Sequence, residues 1–208
     1  MSGKKIGIYG GTFAPVHNGH VNAALAFLKS EMLDVLYVIP AGIPPHKIIT
    51  WEDSSSDRYS MLELAFRECP EYGKNIFISD YEISRDEKSY TVNTLRHFSA
   101  ESDNIVLLCG TDMFLTLDSW YQAEEIFKLC EIVCARREND LTAIERIEAK
   151  AEEYKAKFGA ITRLLPLEPF EISSNEIREK IRQEKSVSEY LPHLVYDYVK
   201  KNNLYKSK

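Results

Sequence analysis

Apolar residues recur along this chain in two alternating rhythms. Short runs rich in aliphatic and β-branched residues predict strands at Lys5–Tyr9, Val35–Pro40, Ile76–Ser79, Ile105–Cys109, Ile132–Ala135 and Thr162–Leu165. Between them, helix-period spacing predicts helices around Gly19–Glu31, Asp57–Glu68, Thr91–Phe98, Ala123–Phe127 and Leu141–Lys157. Two more are expected at Ser174–Gln183 and Pro192–Asn202. Asp53-Ser54-Ser55-Ser56 reads as a loop, with Ser56 or Asp57 capping the helix that follows. Leu141–Lys157 is dense in Glu and Lys and reads as a solvated amphipathic helix.

Strands alternating with helices imply an α/β fold, a Rossmann-like doubly wound parallel sheet with helices on both faces. No repeat or composition break divides the chain, so residues 1–208 read as a single domain. Ligands in such sheets gather beyond the carboxyl ends of the strands. The segments just after each strand are therefore the places to look for chemistry.

Composition narrows the partners. The chain has 208 residues, 44% hydrophobic and 28% charged, enough to build a core without metal or disulfide staples. Lys and Arg total 26 against 32 Asp and Glu, a formal net charge of -6. That balance speaks against a nucleic-acid partner, though not against a small anionic ligand held by a local positive site. Cys69, Cys109, Cys130 and Cys134 lack the spacing and nearby histidines of a zinc site, and read as reduced thiols of a cytoplasmic protein. No signal-peptide pattern or membrane-length apolar run is present, so no membrane partner is expected. A homo-oligomer is compatible with the chain, because an interface patch in one sequence looks like core.

The first strand runs into Gly10-Gly11-Thr12-Phe13-Ala14-Pro15-Val16-His17-Asn18-Gly19-His20. Two glycines end the strand and let backbone approach a ligand. A helix is expected to start near Asn18 or Gly19, with its free N–H groups and positive dipole end favouring a phosphate. His17 and His20 flank that start and can reach one anion, and Thr12 adds a donor. Neither the dinucleotide glycine spacing nor a Walker loop is present. Near the other end, Ile172-Ser173-Ser174-Asn175-Glu176-Ile177-Arg178 supplies a second capped helix start, with Ser173 or Ser174 as N-cap and Arg178 as a clamp for polyphosphate.

The first motif resembles that of the His-x-Gly-His nucleotidyltransferase superfamily, and the second the Ile-Ser-Ser-x-x-Ile-Arg signature of its adenylyltransferases. Three further stretches stand after strands: Pro44-Pro45-His46-Lys47, Ser89-Tyr90-Thr91-Val92-Asn93-Thr94-Leu95, and Gly110-Thr111-Asp112 with Leu117-Asp118-Ser119-Trp120 soon after. Together these resemble the bacterial nicotinate-nucleotide adenylyltransferase family from Ile6 to Tyr205. The resemblance implies transfer of AMP from ATP onto nicotinate mononucleotide, giving deamido-NAD and pyrophosphate in NAD biosynthesis. It implies His17, His20 and Arg178 as the catalytic cations. On the same basis ATP is held by Gly10, Gly11, Thr12 and Phe13, by Gly110 and Asp112, and by Ile172, Ser173 and Ser174. Nicotinate mononucleotide falls to Thr12, Lys47, Ser89, Tyr90, Thr91 and Trp120.

Each assignment has a physical reading. Lys47 is a point cation for a substrate phosphate. Ser89-Tyr90-Thr91 is a further amide-rich helix start. Trp120 offers a flat face to a pyridine ring, or else anchors the core. Asp112 can accept from ribose hydroxyls, and Asp118 reads as a helix cap. No acid stands immediately beside Ser89–Thr91 in sequence, although Glu82 and Glu87 lie upstream. No carboxylate cluster is evident, so Mg²⁺ is expected to ride mainly on substrate phosphates. The chain departs from the family pattern at Ala14, where many members carry Asp, and at Asn175, where many carry Thr.

Three rivals share parts of this pattern. Pantetheine-phosphate adenylyltransferase has both phosphate motifs in shorter chains, without Ser-Tyr-Thr-x-x-Thr-Leu. An aminoacyl-tRNA synthetase fragment would bring a Lys-Met-Ser-Lys-Ser loop and a basic balance, both absent. A nucleotide-binding regulator of the same fold is opposed by intact His17, His20 and Arg178.

Overall fold

The computed structural model describes residues 3–45, 53–136, 141–168, 170 and 172–206. Six strands form one parallel sheet: β1 (Ile6–Gly11), β2 (Val35–Pro40), β3 (Ile76–Ile78), β4 (Ile105–Gly110), β5 (Glu131–Ala135) and β6 (Thr162–Leu164). Their order is β3-β2-β1-β4-β5-β6, with every neighbouring pair parallel. The order reverses between β1 and β4, which opens a crevice at their carboxyl ends.

The period-2 alternation of the strands divides the core into two layers. Leu36, Val38, Val106, Leu108 and Val133 face one side. There they meet α1 (Asn18–Ser30), α2 (Ser55–Phe66), α7 (Ser174–Arg182) and α8 (His193–Lys201), through residues such as Phe27, Phe66, Ile177 and Val195. Ile6, Ile8, Ile39, Ile105, Leu107 and Ile132 face the other side. They pack on α3 (Thr91–Ser99), α5 (Ala123–Leu129) and α6 (Leu141–Phe158) through Leu95, Ile126 and Tyr154. The helix α6 is thus more than a solvated face, since Ile147 and Tyr154 are buried one above the other.

Local differences from the expected elements have local causes. Strand β1 runs two residues further than expected, because Gly10 and Gly11 pair with Ile39 and Pro40. Ser54, rather than Ser56 or Asp57, caps α2. Its hydroxyl accepts from Asp57 N at 3.0 Å while Asp57 accepts from Ser54 N at 2.9 Å, a reciprocal box that uses one more turn. The short helix α4 (Thr111–Phe114) follows β4 at once, and a 3₁₀ turn covers Leu117–Ser119. Neither has a long enough apolar period to be read in advance.

Candidate active site

A cleft of about 650 Å³ lies over the switch point between β1 and β4. His17, the N-cap of α1, is 4% exposed. His20 follows in the first turn, and the two imidazole centroids are 3.6 Å apart at an interplanar angle of 31°. The His17 backbone N–H donates to His20 Nδ1 at 3.2 Å. An imidazole that accepts at Nδ1 carries its proton on Nε2 when neutral. Glycine at position 19 leaves room for the His17 ring: a Cβ there would sit 3.1 Å from that ring and 3.1 Å from Phe170. Phe13 is buried and braces His20 edge-on, with centroids 5.1 Å apart. A Cβ on Gly11 would press on that same Phe13 ring at 2.8 Å. Phe13 therefore borders the cleft mainly as scaffold. Gly10 and Gly110 also line it, and a Cβ on either would meet no atom within 4 Å.

Helix α7 closes the opposite wall. Ser173 is its N-cap and spends its hydroxyl on Glu176 N at 3.2 Å, and Ser174 Oγ donates to the Pro15 carbonyl at 2.9 Å. Of the two serines expected as ligand donors, Ser173 thus closes the α7 capping box and Ser174 knits α7 to the loop before α1. Arg178 is 8% exposed, donating through Nη1 to the Ala14 carbonyl at 2.6 Å and through Nη2 to Asn175 Oδ1 at 3.0 Å. The two positions that depart from the family pattern are therefore the ones that aim this arginine. Ile172 is buried beneath the helix start. Thr12, Ser173, Ser174, Arg178, His17 and His20 all border one cavity.

The third wall comes from the segment entering α3 and from the turn after α4. Thr91, Trp120 and Asp112 line the cleft, with Asp112 exposed within α4. Trp120 is half-buried and also packs on the apolar layer, so it is both wall and anchor. Tyr90 is the N-cap of α3, its ring 4.6 Å from that of Tyr121. Ser89 differs from expectation. Its backbone N–H donates to the Ile43 carbonyl at 2.8 Å, and its hydroxyl accepts from Gly42 N at 2.9 Å and bonds the Glu82 carboxylate. Ser89 thus fastens the exit of β2 to the entry of α3. Asp118 is no cap: it pairs with Lys150 of α6 at 3.0 Å and accepts from Tyr154 Oη at 3.3 Å. Lys47 lies outside the described residues.

Two residues of this region were not assigned roles from sequence. Glu82, 9% exposed, does stand beside the Ser89–Thr91 cluster, taking the Thr94 hydroxyl at 2.6 Å. Burial raises its pKa, while the hydroxyls of Thr94 and Ser89 pull it down. Arg58, 1% exposed, donates to the carbonyls of Thr12 at 3.3 Å, Gly42 at 3.3 Å and Ala41. It thereby gathers the exits of β1 and β2 under the cleft. Its spacing betrays it, since 58, 61, 62, 65 and 66 form the buried stripe of α2.

Two positive helix starts, a close histidine pair and a buried arginine converge on the crevice of a doubly wound sheet, an arrangement suited to phosphate. Residues 8–180 match the family described as cytidylyltransferase-like, which places the chain in that class of nucleotidyltransferases. Within the class, a relative from Clostridium botulinum (strain Loch Maree / Type A3), named "Probable nicotinate-nucleotide adenylyltransferase", is 37% identical over 96% of this chain and 98% of its own. A relative of the same name from Caldicellulosiruptor saccharolyticus is 35% identical over 97% and 99%. The chain belongs to the nicotinate-nucleotide adenylyltransferase family. The solved structure of Plasmodium falciparum nicotinic acid mononucleotide adenylyltransferase complexed with APC shares the fold, with a TM-score of 0.72, 21% identity and 97% of each chain covered.

Proposed function

We propose that the protein moves the adenylyl group of ATP onto the 5′-phosphate of nicotinate mononucleotide, releasing pyrophosphate and deamido-NAD. The observation that carries this reading is the 3.6 Å His17–His20 pair facing the α7 start and Arg178 across one cleft. A phosphate oxygen of the mononucleotide attacks the α-phosphorus. The bond from that phosphorus to the bridging oxygen breaks, and pyrophosphate leaves with the electron pair. A phosphate monoester has its second pKa near ~6, so the nucleophile is already ionised at neutral pH and no general base is required. What remains is positioning and charge stabilisation, the work of His17, His20, Arg178 and the helix starts. Among the described residues no group of three or more His, Cys, Asp or Glu gathers to hold a metal. Mg²⁺ belongs to the proposal as a companion of the ATP phosphates, and no step is routed through it.

Among the described residues no helix is long and apolar enough to cross a membrane. A cytoplasmic location is part of the proposal, supported by four free thiols, three of them buried.

Arg178→Ala is expected to raise the KM for ATP by ~10-fold or more, the worth of a charge-assisted hydrogen bond of ~1.5–3 kcal/mol, and to change the mononucleotide KM far less. Steady-state titration of each substrate checks it, and equal effects would place Arg178 at the wrong end.

The mononucleotide itself is chosen at the α3 start, where the Ser89 and Tyr90 amides already donate to the Ile43 and Lys88 carbonyls and the amides of Thr91 and Val92 supply the donors. Donors alone favour a carboxylate over a carboxamide. Glu82 would favour the amide, yet one of its oxygens already takes the Thr94 hydroxyl at 2.6 Å. A donor facing a donor costs ~1–3 kcal/mol, so nicotinate mononucleotide should be preferred by roughly 5- to 150-fold in kcat/KM over nicotinamide mononucleotide. Both are measured at saturating ATP and Mg²⁺. Equal values, or preference for the amide, would remove the substrate assignment and leave adenylyl transfer standing.

A further inference from the structure

We propose that Arg136 is an additional cation of the nucleotide site, and that it holds the β–γ end of the ATP polyphosphate. This rests on the adenylyl-transfer reading. Strand β5 ends at Ala135, so Arg136 emerges at the carboxyl edge of the sheet, where it lines the same cleft as His17, Ser173 and Arg178. The other arginines drawn into the body of the protein are answered from within. Arg58 has the carbonyls of Thr12 and Gly42, Arg163 has Glu31 and Glu131, and Arg178 has the Ala14 carbonyl and Asn175. The Nε atoms of Arg58 and Arg178 are buried without an acceptor, but their Nη atoms are held by these partners; Arg136 differs in having no such partner on any guanidinium nitrogen among the described residues. Its Nε is shut off from solvent and has no acceptor, and among the described residues no carboxylate or carbonyl pairs with the guanidinium.

A guanidinium offers N–H donors in a rigid fork that can bind two acceptors of one anion at once. Leaving such a donor buried and unmet is costly, so its acceptor is expected from a ligand. Position decides which ligand. Strands lie ~4.8 Å apart, which puts the β5 exit about 14 Å from the β2 exit, where Gly42 and Ile43 meet Ser89. Arg136 is thus remote from the pyridine side. It stands one strand from Gly110 and borders the same cleft as the α7 start. A tetrahedral phosphate presents in-plane acceptors to Nε and Nη together, whereas a stacked adenine would leave the Nε donor unmet.

Arg136→Met and Arg136→Lys test this. Sodium tripolyphosphate and adenosine are each titrated calorimetrically into wild type and both variants, beside steady-state KM values for both substrates. Arg136→Met should weaken tripolyphosphate binding and raise the ATP KM by ~10-fold or more, with adenosine affinity and mononucleotide KM within ~2-fold of wild type. Arg136→Lys should recover part of the loss, keeping the charge without the fork. Unchanged tripolyphosphate affinity in Arg136→Met, or a loss carried by adenosine instead, would overturn the assignment. Should the Met variant fail to fold, Arg136→Lys decides: a tripolyphosphate affinity equal to wild type counts against the fork. The titrations involve no turnover. A wild type that binds tripolyphosphate through Arg136 but makes no deamido-NAD would sink the proposed reaction and leave this site in place.

Discussion

His20→Ala is expected to lower kcat by at least ~10²-fold while the protein stays folded. The His20 ring lies 3.6 Å from that of His17 and accepts at Nδ1 from the His17 backbone, so the neutral ring carries its proton on Nε2, the atom assigned here as donor to a phosphate oxygen. Negative charge on the bridging and equatorial oxygens grows as pyrophosphate departs, so this donor counts most in the transition state. Loss of one such preorganised donor corresponds to ~2.7–4 kcal/mol of barrier. Stability should fall only by the value of a weakened helix start, ~1 kcal/mol. His20→Asn separates the two functions of the ring. Asparagine can still accept from His17 N–H but cannot reach as far as Nε2, so it should be as slow as alanine. Turnover near wild type in either variant would remove His20 from the site.

Arg58→Met should give the largest loss of stability, about 3–5 kcal/mol, because it breaks a buried charge pair from one side. Arg58 Nε faces the Asp53 carboxylate at 4.0 Å, and Asp53 takes the Tyr205 hydroxyl at 2.6 Å. Burial lowers the Arg58 pKa and raises that of Asp53, and each charge opposes the shift of the other. Without the guanidinium, the carbonyls of Thr12, Ala41 and Gly42 lose this donor, and Asp53 keeps the Tyr205 hydroxyl and the weaker attraction of Arg178. For a chain of this size the loss corresponds to a Tm lowered by ~6–20 °C. Adding Asp53→Asn to Arg58→Met should recover ~0.5–3 kcal/mol, the coupling expected for groups in direct contact. A Tm within ~2 °C of wild type would show that the exits of β1 and β2 are held by something else.

The parts legible in sequence were those with a strong period or a reciprocal motif. Val35–Pro40 is bounded as expected because both of its faces are buried and a turn signal flanks it. Ser173 and Glu176 announce α7 through their capping box. The His17–His20 start is likewise written in contiguous residues. What sequence hid depends on distance across the fold. Asp118 turns to Lys150, which lies 32 positions later, and no local pattern reports that. Glu82 reaches Thr94 only because the chain doubles back before α3. Ser89 sits where a helix start was expected to present free amides, yet its N–H donates to the Ile43 carbonyl at the β2 exit and its hydroxyl accepts from Gly42 N. Arg58 was within reach of sequence reasoning through its place on the buried stripe of α2, but a charge on an apolar face reads as a surface residue until its carbonyl partners are seen.

The central claim is tested most directly by pyrophosphate release from ATP with Mg²⁺, measured with and without nicotinate mononucleotide, alongside the mass of the nucleotide product. The account predicts negligible release from ATP alone, and release matched one for one by deamido-NAD once the mononucleotide is present. Pyrophosphate released without the mononucleotide, or none released with it, would contradict the account.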